Sequence, residues 1–395
     1  MRTSCWASHP FTSSVLLIVN CALLTAAAQV LDYKVRPHYS VVVPGLEYAN
    51  VRLTNMPWSV HVARLDRSRR DLGVMTTLGK GRIQGLSALS AQTVSVPPKL
   101  GKPVAAVNGD FFLIKPGPYQ GDPEGLQIVN GELVSAPGDL SFWAESGGAL
   151  HVGKVSAQMQ FTWPDGTQSP LGLNETPRRN GATLFAPIFG ASTQASNAVE
   201  LVLEHAQSGP WLPLRANQLY SGRVREIRTS GNTSLSPETV ILSLTGTATN
   251  ALASVKPGAL LTFTTALSPN LGEAVTAIGG GPLLVERGKA QEWPVQRGTN
   301  TYLLPRHPRT ALGFNSRYFY LVVADGRQQG LSMGMSFAEL ATFMKKLGCT
   351  EAMNLDGGGS ATFWLAGKVM NSPSDKRERS LANAVMIVQR TNRKR

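Results

Sequence analysis

Seven residues near the C-terminus, Asn354-Leu355-Asp356-Gly357-Gly358-Gly359-Ser360, set one carboxylate against three glycines and a hydroxyl. A carboxylate can serve as base or nucleophile, while glycines let backbone amides approach a ligand closely and form anion-binding concavities. Such a combination suits an anionic or sugar-like ligand. Asp-Gly is equally a common turn signal, and the following Ala361-Thr362-Phe363-Trp364-Leu365 reads as a strand, so the run can also be a hairpin loop. Three consecutive glycines exceed what a two-residue hairpin needs, and each loses extra conformational entropy on folding. Something besides turning is expected of them.

Other chemistry-bearing runs also fall at the ends of predicted strands. Pro103 to Val107 reads as a buried strand running into Asn108-Gly109-Asp110-Phe111-Phe112. Arg309-Thr310-Ala311-Leu312-Gly313-Phe314 leads to the strand Tyr318 to Val323, which ends at Asp325-Gly326-Arg327. Ser336 opens a helix with Glu339 three residues on, a capping box, and Phe337, Leu340, Ala341, Met344 and Leu347 share one face. Lys345, Lys346 and Gly348 close the helix. The next strand delivers Asp356. A strand, helix, strand unit is thus framed by Asp325 and Asp356, and in α/β architectures ligands gather at the carboxyl ends of strands.

These residues need a scaffold, and composition indicates its kind. The chain has 395 residues, 42% hydrophobic and only 16% charged, with 39 Gly and 25 Pro, which predicts a substantial core with many turns. We expect an α+β fold: a mixed β-sheet core with few helices and a β-rich insertion. Residues 29–99 read as an N-terminal β-rich segment, and 100–390 as the main domain, interrupted at about 150–275 by the insertion. Residues 391–395 read as a basic tail. Leu126 to Val134 forms a hairpin, because Asn130-Gly131 between apolar runs matches a type I′ turn.

Residues 1–28 follow the order of a secretory signal peptide: Arg2, an apolar stretch from Val15 to Leu24, then Ala26-Ala27-Ala28, after which cleavage is expected. The mature protein is expected to be secreted or periplasmic, with no transmembrane span. Cleavage removes Cys5 and Cys21, so Cys349 has no disulfide partner and reads as a buried, inert thiol. Thiolate zinc chemistry is excluded, and the six histidines lack metalloprotease spacing. The net charge of +13 favours anionic partners. No aromatic ladder interleaves with the arginines, so no specific nucleic-acid site is evident. No cofactor is required, though Asp110, Asp325 and Asp356 are acids that can hold Mg²⁺ or Ca²⁺.

Asn108 to Phe112, Arg309 to Gly313, Asp325 to Arg327, Asn354 to Ser360 and Glu378 to Ala384, in that order and spacing, resemble the phosphodiester glycosidase family. The resemblance covers roughly 100–150 and 275–390. It implies hydrolysis of a sugar joined through its anomeric carbon to a phosphodiester, so the expected substrate is a sugar phosphate or anionic glycan. Ordinary glycosidases need two carboxyl groups, one to protonate a poor leaving group. A phosphate already leaves well, so one carboxylate plus cations and amides can suffice. On this reading Asp356 is base or nucleophile, Gly357, Gly358 and Gly359 supply amides, and Ser360 supplies a hydroxyl. Arg309 clamps phosphate or pairs with Asp325; Asn108 and Asn354 bind sugar hydroxyls, and Asp325 orients Arg309 or a water. Gly109, Thr310 and Asn383 complete the substrate-binding set. Asp110 adds a catalytic acid or only turns the chain. Two other readings remain at this point: a metal-dependent phosphodiesterase, and a non-catalytic binding or assembly protein for an exported polysaccharide.

Overall fold

The computed structural model describes residues 35–53, 57–293 and 305–390, so the signal-peptide and basic-tail readings fall outside the described residues. Runs rich in valine, isoleucine and aromatics build almost entirely antiparallel sheets, as pleated, half-buried surfaces favour. One eight-stranded sheet has the order Ser40–Val43, Leu46–Leu53, Trp58–Asp66, Tyr318–Ala324, Arg309–Phe314, Glu351–Asn354, Leu283–Glu286 and Lys289–Ala290. A five-stranded sheet has the order Lys368–Val369, Phe363–Leu365, Lys102–Asn108, Asn383–Gln389 and Leu72–Leu78. These two bury a common core through Leu321, Met353, Phe363 and Val385, which Phe142 and Ile278 of a third sheet complete.

A second eight-stranded sheet takes every strand from between Gln160 and Thr264. Its own core, including Phe161, Trp163, Leu203 and Phe263, continues into Ile128, Trp143 and Ala277 of that third sheet. The α+β expectation therefore holds only in broad terms. The chain is nearly all-β, with Leu89–Val94 and Phe337–Lys346 the two α-helices among the described residues.

The site depends on one topological detail. Tyr318–Ala324 and Glu351–Asn354 both pair antiparallel with Arg309–Phe314, which lies between them, so the two outer strands run parallel to each other. Helix Phe337–Lys346 connects them, and its capping box forms as expected, with Ser336 Oγ accepting from the Glu339 amide. Asp325 and Asp356 consequently emerge at the same sheet edge, on either side of Arg309. The expected hairpin also forms: Asn130 and Gly131 adopt φ of 52° and 81°, the positive pair that a type I′ turn requires.

Candidate active site

Asp356 lies where the first sheet meets the five-stranded sheet. Its amide donates to the Gly109 carbonyl at 3.0 Å, and its own carbonyl accepts from Asn108 Nδ2 at 2.6 Å, so the turn is stitched to the end of strand Lys102–Asn108. The carboxylate remains partly accessible, with Oδ1 accepting from the Gly357 amide at 2.8 Å. Burial raises its proton affinity, while the Ser360 hydroxyl, the Gly357 amide and the Arg379 charge oppose that shift. An acid so placed is held in one orientation.

The glycines answer steric demands. A Cβ at Gly357 would lie 2.7 Å from the Pro308 carbonyl oxygen, Gly358 has φ of +60°, and a Cβ at Gly359 would lie 2.0 Å from Arg379 Nη2. The expected ligand-facing amides are therefore a correction for Gly357 and Gly358, whose N–H groups go to Asp356 and to Pro308. Gly359 lets the Arg379–Asp375 ion pair (2.8 Å) settle on the turn, and Arg379 Nη1 reaches Ser360 Oγ at 3.3 Å.

Asp110 sits beneath this turn, almost fully buried. Its Oδ1 accepts from the Phe111 amide at 2.7 Å, while Oδ2 packs against the Cα atoms of Gly125 and Gly279. The Gly125 amide lowers its proton affinity slightly, but no hydrogen bond of ordinary geometry reaches Oδ2. Burial, with smaller repulsion from Asp356 and Glu124, pushes the Asp110 carboxyl up to about 8. Two carboxyl groups thus share one neighbourhood, and burial raises the proton affinity of both.

Asp325 differs in its surroundings. Its carboxylate is buried against His61 Nε2 (3.1 Å), the Ser372 amide (2.8 Å) and Asn371 Nδ2 (3.3 Å), which fixes three chain segments together. Arg309 is buried as well: it stacks 3.8 Å over the Phe337 ring and donates to the carbonyls of Met335 and Pro305. The expected sugar-binding residues Asn108, Asn354, Thr310 and Asn383 all make bracing contacts. Thr310 donates to Asn108 Oδ1 at 2.6 Å, Asn354 donates to the Gly281 carbonyl at 2.7 Å, and Asn383 Oδ1 accepts from the Asp110 amide at 2.8 Å. The Gly109 backbone is spent on Asn383 and Asp356. Among the described residues, no three acids, histidines or cysteines assemble into a metal-holding group, so the triad of Asp110, Asp325 and Asp356 does not form a cation site.

Sequence reading missed the cations that border Asp356. Arg327 is exposed, with its guanidinium 3.1 Å from where a Gly358 Cβ would stand and 3.4 Å from His307 Nδ1. Arg379 stands on the Gly359 side. Both belong to the motifs singled out above, but nothing in sequence separates a solvated arginine from one folded onto a turn 31 residues or 20 residues away.

Comparison with known proteins supports the family resemblance. Residues 217–388 match the family model described as phosphodiester glycosidase. N-acetylglucosamine-1-phosphodiester alpha-N-acetylglucosaminidase from Bos taurus is 33% identical over 109 residues, 27% of this chain and 20% of that protein. The Homo sapiens protein of the same name is also 33% identical over 109 residues, 27% of this chain and 21% of its own length. The chain therefore spans about a fifth of the length of these relatives. In fold, a hypothetical protein from Synechocystis superposes with a TM-score of 0.70 at 17% identity, over 90% of this chain and 64% of that one. A candidate exported protein from Burkholderia pseudomallei K96243 gives 0.65 at 23% identity, over 84% and 74%.

Proposed function

From the phosphodiester glycosidase likeness of residues 217–388, we propose that this chain hydrolyses sugar-1-phosphodiesters, with Asp356 as the base. One observation carries the reading: Asp356 is a half-buried acid near the Arg379 charge, on a turn whose Gly358 lies against the Arg327 guanidinium. In the proposed step, water attacks the anomeric carbon and gives its proton to Asp356. The carbon–oxygen bond breaks with its electron pair passing to the phosphate, which departs as a phosphomonoester while free sugar forms. Arg327 receives the charge that develops on phosphate, since charge-assisted contacts to guanidinium are strong and directional. Ser360 and the Gly357 amide hold the carboxylate in place. Asp110, neutral below about 8, is a positioning residue that keeps a second negative charge out of the site. The export expectation would place the substrate on an extracellular or cell-envelope glycan.

Incubation with a panel of sugar-1-phosphodiesters tests the proposal. Equal yields of free sugar and phosphomonoester, undiminished by EDTA, are expected. No turnover of any member by folded protein would point to the binding or assembly role instead, and loss of turnover in EDTA would point to metal chemistry.

A further inference from the structure

The second eight-stranded sheet carries a cleft of about 360 Å³, between strands Val199–His205 and Leu219–Arg228 and the loop that joins them. Sites for small molecules start at about this size. His205, Trp211, Arg215, Gln218, Tyr220 and Ser221 are among its lining residues. None belongs to the Asp356 neighbourhood described above.

The loop is held in shape. Trp211 Nε1 donates to the Glu238 carbonyl at 3.0 Å, Thr265 Oγ1 donates to the Arg215 carbonyl at 2.6 Å, and Asn217 bridges to Leu267 and Leu271 at 2.8 and 2.9 Å. The rings are fixed as well: His205 stacks on Trp211 at 5.4 Å, and Tyr220 on Phe263 at 5.1 Å. Tyr220 Oη accepts from the Arg215 amide at 2.7 Å and keeps its own proton to donate. The lining therefore offers flat apolar ring surface beside a carboxamide, hydroxyls and one guanidinium. Ring faces suit the apolar C–H face of a pyranose, the amide and hydroxyls suit its hydroxyl groups, and the guanidinium suits an acidic substituent.

The charge balance points the same way. Arg215 is exposed and makes no salt bridge among the described residues. The acid beside it, Glu132, is pushed by burial up to about 7, with Arg215 opposing, so near neutrality the guanidinium has only a partial counter-charge.

We propose that this cleft is a second carbohydrate site, which holds an acidic sugar unit of an oligosaccharide with Arg215 on the anionic group. This rests on the glycan-directed reading above, but it is tested without turnover. Titration of the full chain with tetragalacturonate, maltose 1-phosphate and neutral maltotetraose separates carboxylate, phosphate and uncharged ligands. At least one acidic probe should bind measurably more tightly than maltotetraose. Arg215→Ala should weaken that binding about 10- to 100-fold, and Gln218→Ala by a smaller factor. Both variants should keep the parent Tm and the parent turnover of a small sugar-1-phosphodiester. Binding of neither acidic probe, equal binding of the neutral one, or binding indifferent to Arg215→Ala overturns the proposal. Absent turnover with cleft binding intact would sink only the catalytic reading.

Discussion

Asp325-Gly326 and Asp356-Gly357 are the same dipeptide at the same edge of one sheet, yet the fold uses them in opposite ways. Asp325 gives both carboxylate oxygens to His61, Asn371 and Ser372 and is sealed from solvent. Asp356 commits one oxygen to its own turn and keeps a partly accessible face beside arginines. Strand-end placement is thus necessary for a working acid but does not suffice. What separates the two is whether the surrounding chain consumes the carboxylate: His61, 264 positions from Asp325, takes one oxygen, and Asn371 and Ser372 take the other.

The sharpest way to break this contrast is to remove each carboxylate separately. Asp356→Asn should lower kcat by about 100- to 10,000-fold, as loss of a general base does, with Tm held to within a few degrees. Asp325→Ala should behave in reverse: unfolding in urea should show a loss of about 3–5 kcal/mol, because a buried hydrogen-bonded charge network is broken, while the folded fraction retains its turnover. A next, smaller effect is expected at the phosphate. Arg327→Ala should reduce kcat/KM by about 10- to 100-fold, with partial recovery in Arg327→Lys, whereas Arg309→Lys should act mainly on stability.

A separate effect concerns Asp110 and depends on pH. Its folded carboxyl titrates near 8 against an ordinary value of 3.8, so between those values the folded state holds one proton more than the unfolded state. Stability from this group is complete below 3.8, is lost as pH rises toward about 8, and then levels, at about 1.4 kcal/mol per pH unit. Asp110→Asn carries no titrating group and keeps an acceptor for the Phe111 amide. Thermal melts from acidic to alkaline pH should show the variant gaining on the parent as pH rises, and a constant difference would contradict the assignment.

Local signals were well read from sequence. Asn130-Gly131 gives its hairpin, Ser336 and Glu339 give their capping box, and Cys349 is buried with its thiol pushed up by desolvation. Each depends on neighbours a few residues away or on hydrophobicity alone. The surroundings of Arg309 and Asn108 are not legible because their partners are distant in sequence: a Phe337 ring for one, Thr310 and Thr362 for the other. Residue type marks both as ligand-binding groups, and only the tertiary fold reveals these contacts. The steric demands on Gly357 and Gly359 are hidden for the same reason, since Pro308 and the Arg379–Asp375 pair are what leave no room for a Cβ.

Hydrolysis in ¹⁸O-labelled water tests the central claim most directly. If Asp356 activates water toward the anomeric carbon, the label enters the released sugar and the phosphomonoester stays unlabelled. Label found in the phosphomonoester would mean phosphorus–oxygen cleavage and would contradict the account.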